Sequence, residues 1–91
     1  MADRKWTFLS NHGHVLLYLA NNSDTKVRDL ADEIGITERA ALGIIADLDQ
    51  SGYLSIEKVG RRNKYKINKN LNFRHELESH KKIGELIRVF S

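Results

Sequence analysis

The chain contains no cysteine and no proline, and only six of its 91 residues are glycine. Without cysteine there is no disulfide framework, no thiolate zinc site and no cysteine nucleophile. Without proline, and with glycine so sparse, no stretch reads as a linker or as low-complexity sequence, and no internal repeat is visible. Long apolar runs are missing too. The longest, Val15 to Ala20, is far short of a membrane span. The opening Met1-Ala2-Asp3-Arg4-Lys5-Trp6 holds no apolar segment with a following cleavage site. The sequence therefore predicts no secretory leader, no membrane partner and a cytoplasmic location.

What remains has the composition of a folded chain, 41% hydrophobic and 30% charged, at a length suited to one compact domain. The net charge of +3 hides a sharp asymmetry. Residues 1–57 sum to −4, and residues 70–91 to +1. Residues 58–69 lack any acid and carry Lys58, Arg61, Arg62, Lys64, Lys66 and Lys69, a local charge of +6. Charge gathered in this way points to a polyanionic partner more than an even scatter would.

Turn signals divide the chain. A first helix is predicted from about Asn11 to Asn21, capped by Ser10 or Asn11, and its Val15-Leu16-Leu17-Tyr18-Leu19 run marks it as central. A second, from about Lys26 to Ile34, places Val27, Leu30, Ala31 and Ile34 on one face and stops at Gly35. Thr37 is placed to cap a third, with Glu38 in its first turn, and that helix reaches about Gln50 before Ser51-Gly52. Alternation then takes over. Leu54 and Ile56 alternate with polar neighbours, as do Tyr65 and Ile67, across a turn at Gly60-Arg61-Arg62-Asn63, which reads as a β-hairpin. A last amphipathic helix is expected from about Arg74 to Phe90 through Leu77, Ile83, Leu86, Ile87 and Phe90. This order predicts an α+β, mainly α fold. It is a winged helix-turn-helix with its helix-turn-helix at about 26–50, a two-stranded wing at about 53–68 and a C-terminal helix at about 74–90.

Several segments resemble small MarR/ArsR-type transcriptional regulators of bacteria and archaea. They are Leu30-Ala31-Asp32-Glu33-Ile34-Gly35-Ile36-Thr37-Glu38-Arg39-Ala40, Ile45-Ala46-Asp47-Leu48, Ser51-Gly52-Tyr53-Leu54 and the Val59–Ile67 wing. The opening Trp6–His12 and the closing Arg74-His75, His80 and Gly84-Glu85-Leu86 are similar to that group as well. The resemblance spans about residues 6–90. It implies a homodimer on double-stranded DNA, with the third helix in the major groove and the hairpin beside the backbone or minor groove.

The residues themselves distribute these roles. Arg61, Arg62, Asn63, Lys64 and Lys66 form the basic wing, suited to phosphate by counterion release, and an arginine at its tip suits a narrow minor groove. Lysines on an exposed strand also serve to block aggregation. On the third helix Ala41, Ile44, Ile45 and Leu48 face the core, which leaves Arg39, Gly43, Ala46 and Gln50 opposite, flanked by Ala40, Leu42 and Asp47. Arg39 has the fork for guanine O6 and N7. Thr37 and the first-turn N–H groups suit phosphate, and Lys26 and Arg28 are placed either to clamp phosphate or to stand as solvated charges.

Leu42 and Gly43 depart from the family pattern, in which polar or basic side chains are usual. A bare face lets the backbone approach the groove, with thymine methyls against Ala46 and Leu42. Alternatively, Leu42 belongs to a contact with another protein. Four histidines raise a metal site, but His12 and His14 point about 200° apart on a helix. His75 and His80 are five residues apart, a poor helical chelating pair, so no metal and no cofactor is expected. No nucleophile–base arrangement and no glycine-rich phosphate loop is present, so the chain is not expected to be an enzyme. Trp6, Phe8 and the Leu86/Phe90 side of the last helix are expected to pack on the domain or on a second subunit, giving a homodimer through the terminal helices.

Overall fold

The computed structural model describes residues 6–90. It contains α1 (Asn11–Asn21), α2 (Val27–Ile34), α3 (Glu38–Gln50), β1 (Leu54–Val59), β2 (Arg62–Ile67) and α4 (Ile83–Val89). The fold is small, mainly helical and of α+β type, with a single antiparallel hairpin as its sheet.

Several helix ends have an identifiable cause. The Ser10 hydroxyl accepts the Gly13 N–H at 3.3 Å and starts α1. Along α1, Val15, Leu16 and Leu19 are buried, while Leu17, Tyr18 and Ala20 pack part-exposed against the same core. α2 ends at Gly35, whose φ of +86° is strained for any side chain with a Cβ. The N–H groups of Gly35 and Ile36 both donate to the Ala31 carbonyl, at 2.8 and 3.0 Å. Ile36 then packs against the core, and the Thr37 hydroxyl accepts the Ala40 N–H at 3.0 Å to open α3. α3 buries the four predicted residues, Ala41, Ile44, Ile45 and Leu48. At its far end Gly52, with φ +84°, lets the Tyr53 N–H reach back to the Leu48 carbonyl at 2.9 Å.

The hairpin is tighter than the sequence suggests. Val59 pairs with Arg62, so Gly60 and Arg61 alone make the turn, and Arg62 and Asn63 belong to β2. Gly60 has φ +64°, and among the described residues no non-glycine has positive φ. A positive φ at the first central position only is the pattern of a type II′ turn. Leu54 opposite Ile67 and Ile56 opposite Tyr65 set the inward face, with Leu54 and Tyr65 buried. The free edge of β2 is partly covered where the Tyr65 N–H donates to the Ser23 carbonyl in the α1–α2 loop at 2.7 Å.

The C-terminal helix differs from expectation. It spans Ile83–Val89 rather than about 74–90, and residues 74–82 form a closed loop. Two physical causes account for this. Polar side chains in the loop bond to nearby backbone instead of leaving it helical. Leu77 N–H donates to His75 Nδ1 at 3.1 Å, Asn72 Nδ2 to the Ser79 carbonyl at 2.7 Å and Ser79 Oγ to the Glu76 carbonyl at 3.2 Å. The start of α4 is also fixed from outside, because Ile83 and Gly84 donate to the carbonyls of Leu71 and Lys69 at 2.9 and 3.0 Å. Those bonds satisfy two of the donors that every helix N-terminus leaves open. Leu77, expected on the buried face, is 80% exposed on the loop. Ile83 and Ile87 do enter the core, Leu86 is half-buried and Phe90 is exposed.

Glu85 completes the α4 cap by accepting the Lys82 N–H at 3.2 Å. That bond lowers the Glu85 pKa from its ordinary value, against a weaker opposing desolvation and with help from the Lys81 and Arg88 charges. A lowered carboxylate stabilises the folded state above its unfolded pKa and loses that contribution as pH falls through the folded one. The first turn of α4 is therefore expected to fray in acid, below the ordinary glutamate pKa of about 4.3. Glu85→Gln retains an acceptor and removes this acid step. Amide resonances of Ile83 to Ile87 followed through an acid titration check both statements.

Candidate nucleic-acid interface

All twelve residues assigned to the interface from sequence are exposed: Lys26, Arg28, Thr37, Arg39, Leu42, Gly43, Ala46, Arg61, Arg62, Asn63, Lys64 and Lys66. They fall into two groups. The first lies on α2 and α3, where burial of Ala41, Ile44, Ile45 and Leu48 turns Arg39, Gly43, Ala46 and Gln50 to solvent. Gly43 sits in ordinary helical backbone with open space where a Cβ would stand. Leu42 is 55% exposed beside it. Thr37 is already engaged as the α3 cap, its oxygen accepting from Ala40, so only its hydroxyl proton is left to give. Lys26 is the residue before α2, in extended backbone, and Arg28 lies in the first turn.

The second group is the hairpin, and its register sorts the bases by face. Arg62, Lys64 and Lys66 project from the outer face, opposite Val59, Glu57 and Ser55. Asn63 does not join them. It lies across from Lys58 on the same face as Leu54, Ile56, Tyr65 and Ile67, beyond the reach of the core. The turn expected to hold four residues holds two, which brings Asn63 into β2 at the parity of Tyr65. Lys58, from the same charge cluster, stands on this face opposite Asn63. Glu57 opposite Lys64 is the one acid in the ladder. None of Lys58, Arg61, Arg62, Lys64 and Lys66 has an ion-pair partner among the described residues. Among the described residues no ion pair therefore ties down the hairpin bases.

A contact that no sequence spacing indicates joins α1 to α3. His12 Nε2 lies 2.8 Å from Asp47 Oδ2, across 35 residues, with both side chains about half exposed. An open cleft of about 710 Å³ lies beside this pair. Its wall includes Leu16, Leu48 and Ile83, and Arg74, His75 and Glu78 from the 74–82 loop. The Arg74 guanidinium donates to Ser51 Oγ at 3.0 Å at the end of α3. Among the described residues no three histidine or acidic side chains are grouped to hold a metal ion, and no helix is long and apolar enough to cross a membrane.

Trp6 and Phe8 stack edge-to-face at 5.0 Å on the surface rather than packing into the core, with Phe8 93% exposed. The core closes without them, since Leu16, Leu48 and Ile83 already occupy the adjoining positions. The chain matches no protein-family model and no curated protein sequence.

Proposed function

We propose that the chain is a DNA-binding transcriptional regulator of the winged helix-turn-helix type, akin to small MarR/ArsR-type proteins and working as a homodimer. The observation that carries this reading is the hairpin. Lys58, Arg61, Arg62, Lys64 and Lys66 have no ion-pair partner among the described residues, and four of them sit on a ladder rooted in the core with Arg61 in its turn. Phosphate neutralisation is what such a surface does best. α3 would enter the major groove with Arg39 toward a guanine edge, and the small Gly43–Ala46 face would bring its backbone near the bases. Arg61 at the turn would approach the backbone or the minor groove. The exposed Trp6, Phe8, Val89 and Phe90 at the two chain ends support self-association, which would present two α3 helices about one DNA turn apart.

A second reading has its own observation. Leu42 is a large apolar side chain left exposed on α3, and Glu38, Asp47 and Asp49 on the same helix oppose phosphate. In that reading α3 binds a protein. Fluorescence anisotropy with a pool of random duplex DNA, at about 50 and about 200 mM salt, separates the two. Micromolar binding that collapses at the higher salt supports the regulator. A folded protein that fails to bind at the lower salt refutes it.

Gly43 offers a sharper check. Alanine there meets nothing within 4 Å, so Gly43→Ala is expected to raise stability by about 1 kcal/mol. Gly43→Leu, whose Cβ likewise meets open space, is expected to weaken binding to DNA by blocking close approach. Thermal melts and the anisotropy assay measure the two effects separately. Improved stability with lost affinity marks the face as a groove contact.

A further inference from the structure

We propose that His12 is a proton-sensitive control on the DNA interface. Protonated, it neutralises Asp47 on α3 and strengthens binding; deprotonated, it leaves Asp47 to repel phosphate. The inference rests on the DNA-binding reading above and adds regulation to it.

The geometry is specific. Successive α3 residues turn by about 100°, so Asp47 sits about 80° around the helix from Arg39, on the flank that meets α1. It is the acid that borders the Arg39–Gly43–Ala46 face on that side, and it is more than half exposed. His12, in the first turn of α1, holds Asp47 Oδ2 at 2.8 Å. An ionised carboxylate only accepts hydrogen bonds, so His12 Nε2 must carry the proton in this contact. The second nitrogen, Nδ1, makes no bond to Asp47 and is the one open to a second proton. Taking up that proton changes the charge of the pair from −1 to zero without moving either residue.

His14, His75, Arg74 and Asp49 do not duplicate the role. On α1, His14 lies two residues on, pointing away from the pair, with its Nδ1 3.4 Å from Asn11 Oδ1. On α3, Asp49 lies on the opposite flank. The 74–82 loop brings Arg74, His75 and Glu78 to the same cleft as His12. Arg74 keeps its charge at every relevant pH, and its bond goes to Ser51. His75 Nδ1 accepts the Leu77 N–H, so protonation there would break a loop contact instead of masking an acid on α3. The N-terminal residues 6–10 and the α4 residues that line the cleft, Ile83 and Leu86, carry no ionisable side chain.

Phosphates near the α3 flank favour the neutral pair, so DNA binding should be accompanied by proton uptake at His12. The expected gain in affinity from about pH 8 to about pH 5.5 is roughly fivefold, the worth of one unit charge at about 4 Å across water. The test is anisotropy with one duplex at fixed ionic strength across that range, on the full chain. Asp47→Asn, which removes the same unit of negative charge, should bind at pH 8 about as tightly as the wild type does in acid. His12→Gln, which keeps a donor for Asp47, should hold affinity at the high-pH level throughout. His75→Asn, which keeps an acceptor for Leu77, should retain the wild-type pH dependence. If the wild type binds with no pH dependence, or if His12→Gln retains it, the control is refuted and DNA binding stands. Failure to bind at any pH by a folded protein refutes both. All three variants lie at exposed positions, and circular dichroism at each pH verifies that the fold is unchanged.

Discussion

Replacing both Arg61 and Arg62 by alanine is expected to weaken binding to every duplex roughly tenfold or more at low salt, and to lower the salt slope by about two. The two residues adjoin at the end of the hairpin, Arg61 in the turn and Arg62 opening β2. Neither has an ion-pair partner among the described residues, so their removal strands no acid there and breaks no ladder bond. The turn depends on Gly60, which stays. Loss of affinity would therefore report the lost charges and not a collapsed hairpin. A uniform loss across sequences is the mark of phosphate contact, whereas a loss confined to AT-rich duplexes would place an arginine in a narrow minor groove. An unchanged salt slope in the double variant would remove the hairpin from the interface.

The largest effect on stability is expected from Leu30→Ala, at about 2–5 kcal/mol. Leu30 is fully buried, and it is the largest of the residues by which the eight-residue α2 is anchored. Of its companions on that helix face only Ala31 is also buried; Val27 and Ile34 are part-exposed. The cavity would open in the one core cluster shared by α1, α3 and the hairpin, so unfolding should remain cooperative instead of freeing α2 alone. For a chain of this size the total stability is of order 5–15 kcal/mol, and the melting temperature should fall by about 10 °C or more. Below the new transition the DNA affinity should be intact, since Leu30 reaches no solvent. A melt within a few degrees of the wild type would show that α2 is not held where the structure places it.

The first three helices and the hairpin were legible because their signals are local. Ser10, Gly35, Thr37 and Gly52 act within one turn of their own positions, and the alternation from Leu54 to Ile67 fixes the faces of the hairpin without outside help. The last helix was not. Leu77 to Ile83 is a step of six residues, which does not return to one helical face, yet the apolar count of the segment still suggested a helix. The deciding bonds run from Ile83 and Gly84 back to Leu71 and Lys69, and from Asn72 to Ser79. They depend on the chain having already turned around. The same limit hid the His12–Asp47 contact, whose partners are brought together only by α1 lying against α3. Asn63 lies in β2 and not in the turn for a smaller reason. Two residues of difference in turn length reverse no face but move the turn's edge, and Asn63 then takes the parity of Tyr65.

The bond from the Tyr65 N–H to the Ser23 carbonyl makes the hairpin a cantilever. Its root is fixed by Leu54 and Tyr65 in the core and by that one bond to the α1–α2 loop. From Lys58 to Asn63 it extends with both faces in solvent, out of a strand length of about 17 Å. A beam held at one end bends along an arc, so the tip arginines explore a shallow curve and not the full volume open to a loose loop. Little orientational freedom is then left to lose when a surface is met, and any shift of the α1–α2 loop at Ser23 is magnified at the tip by the length of the beam.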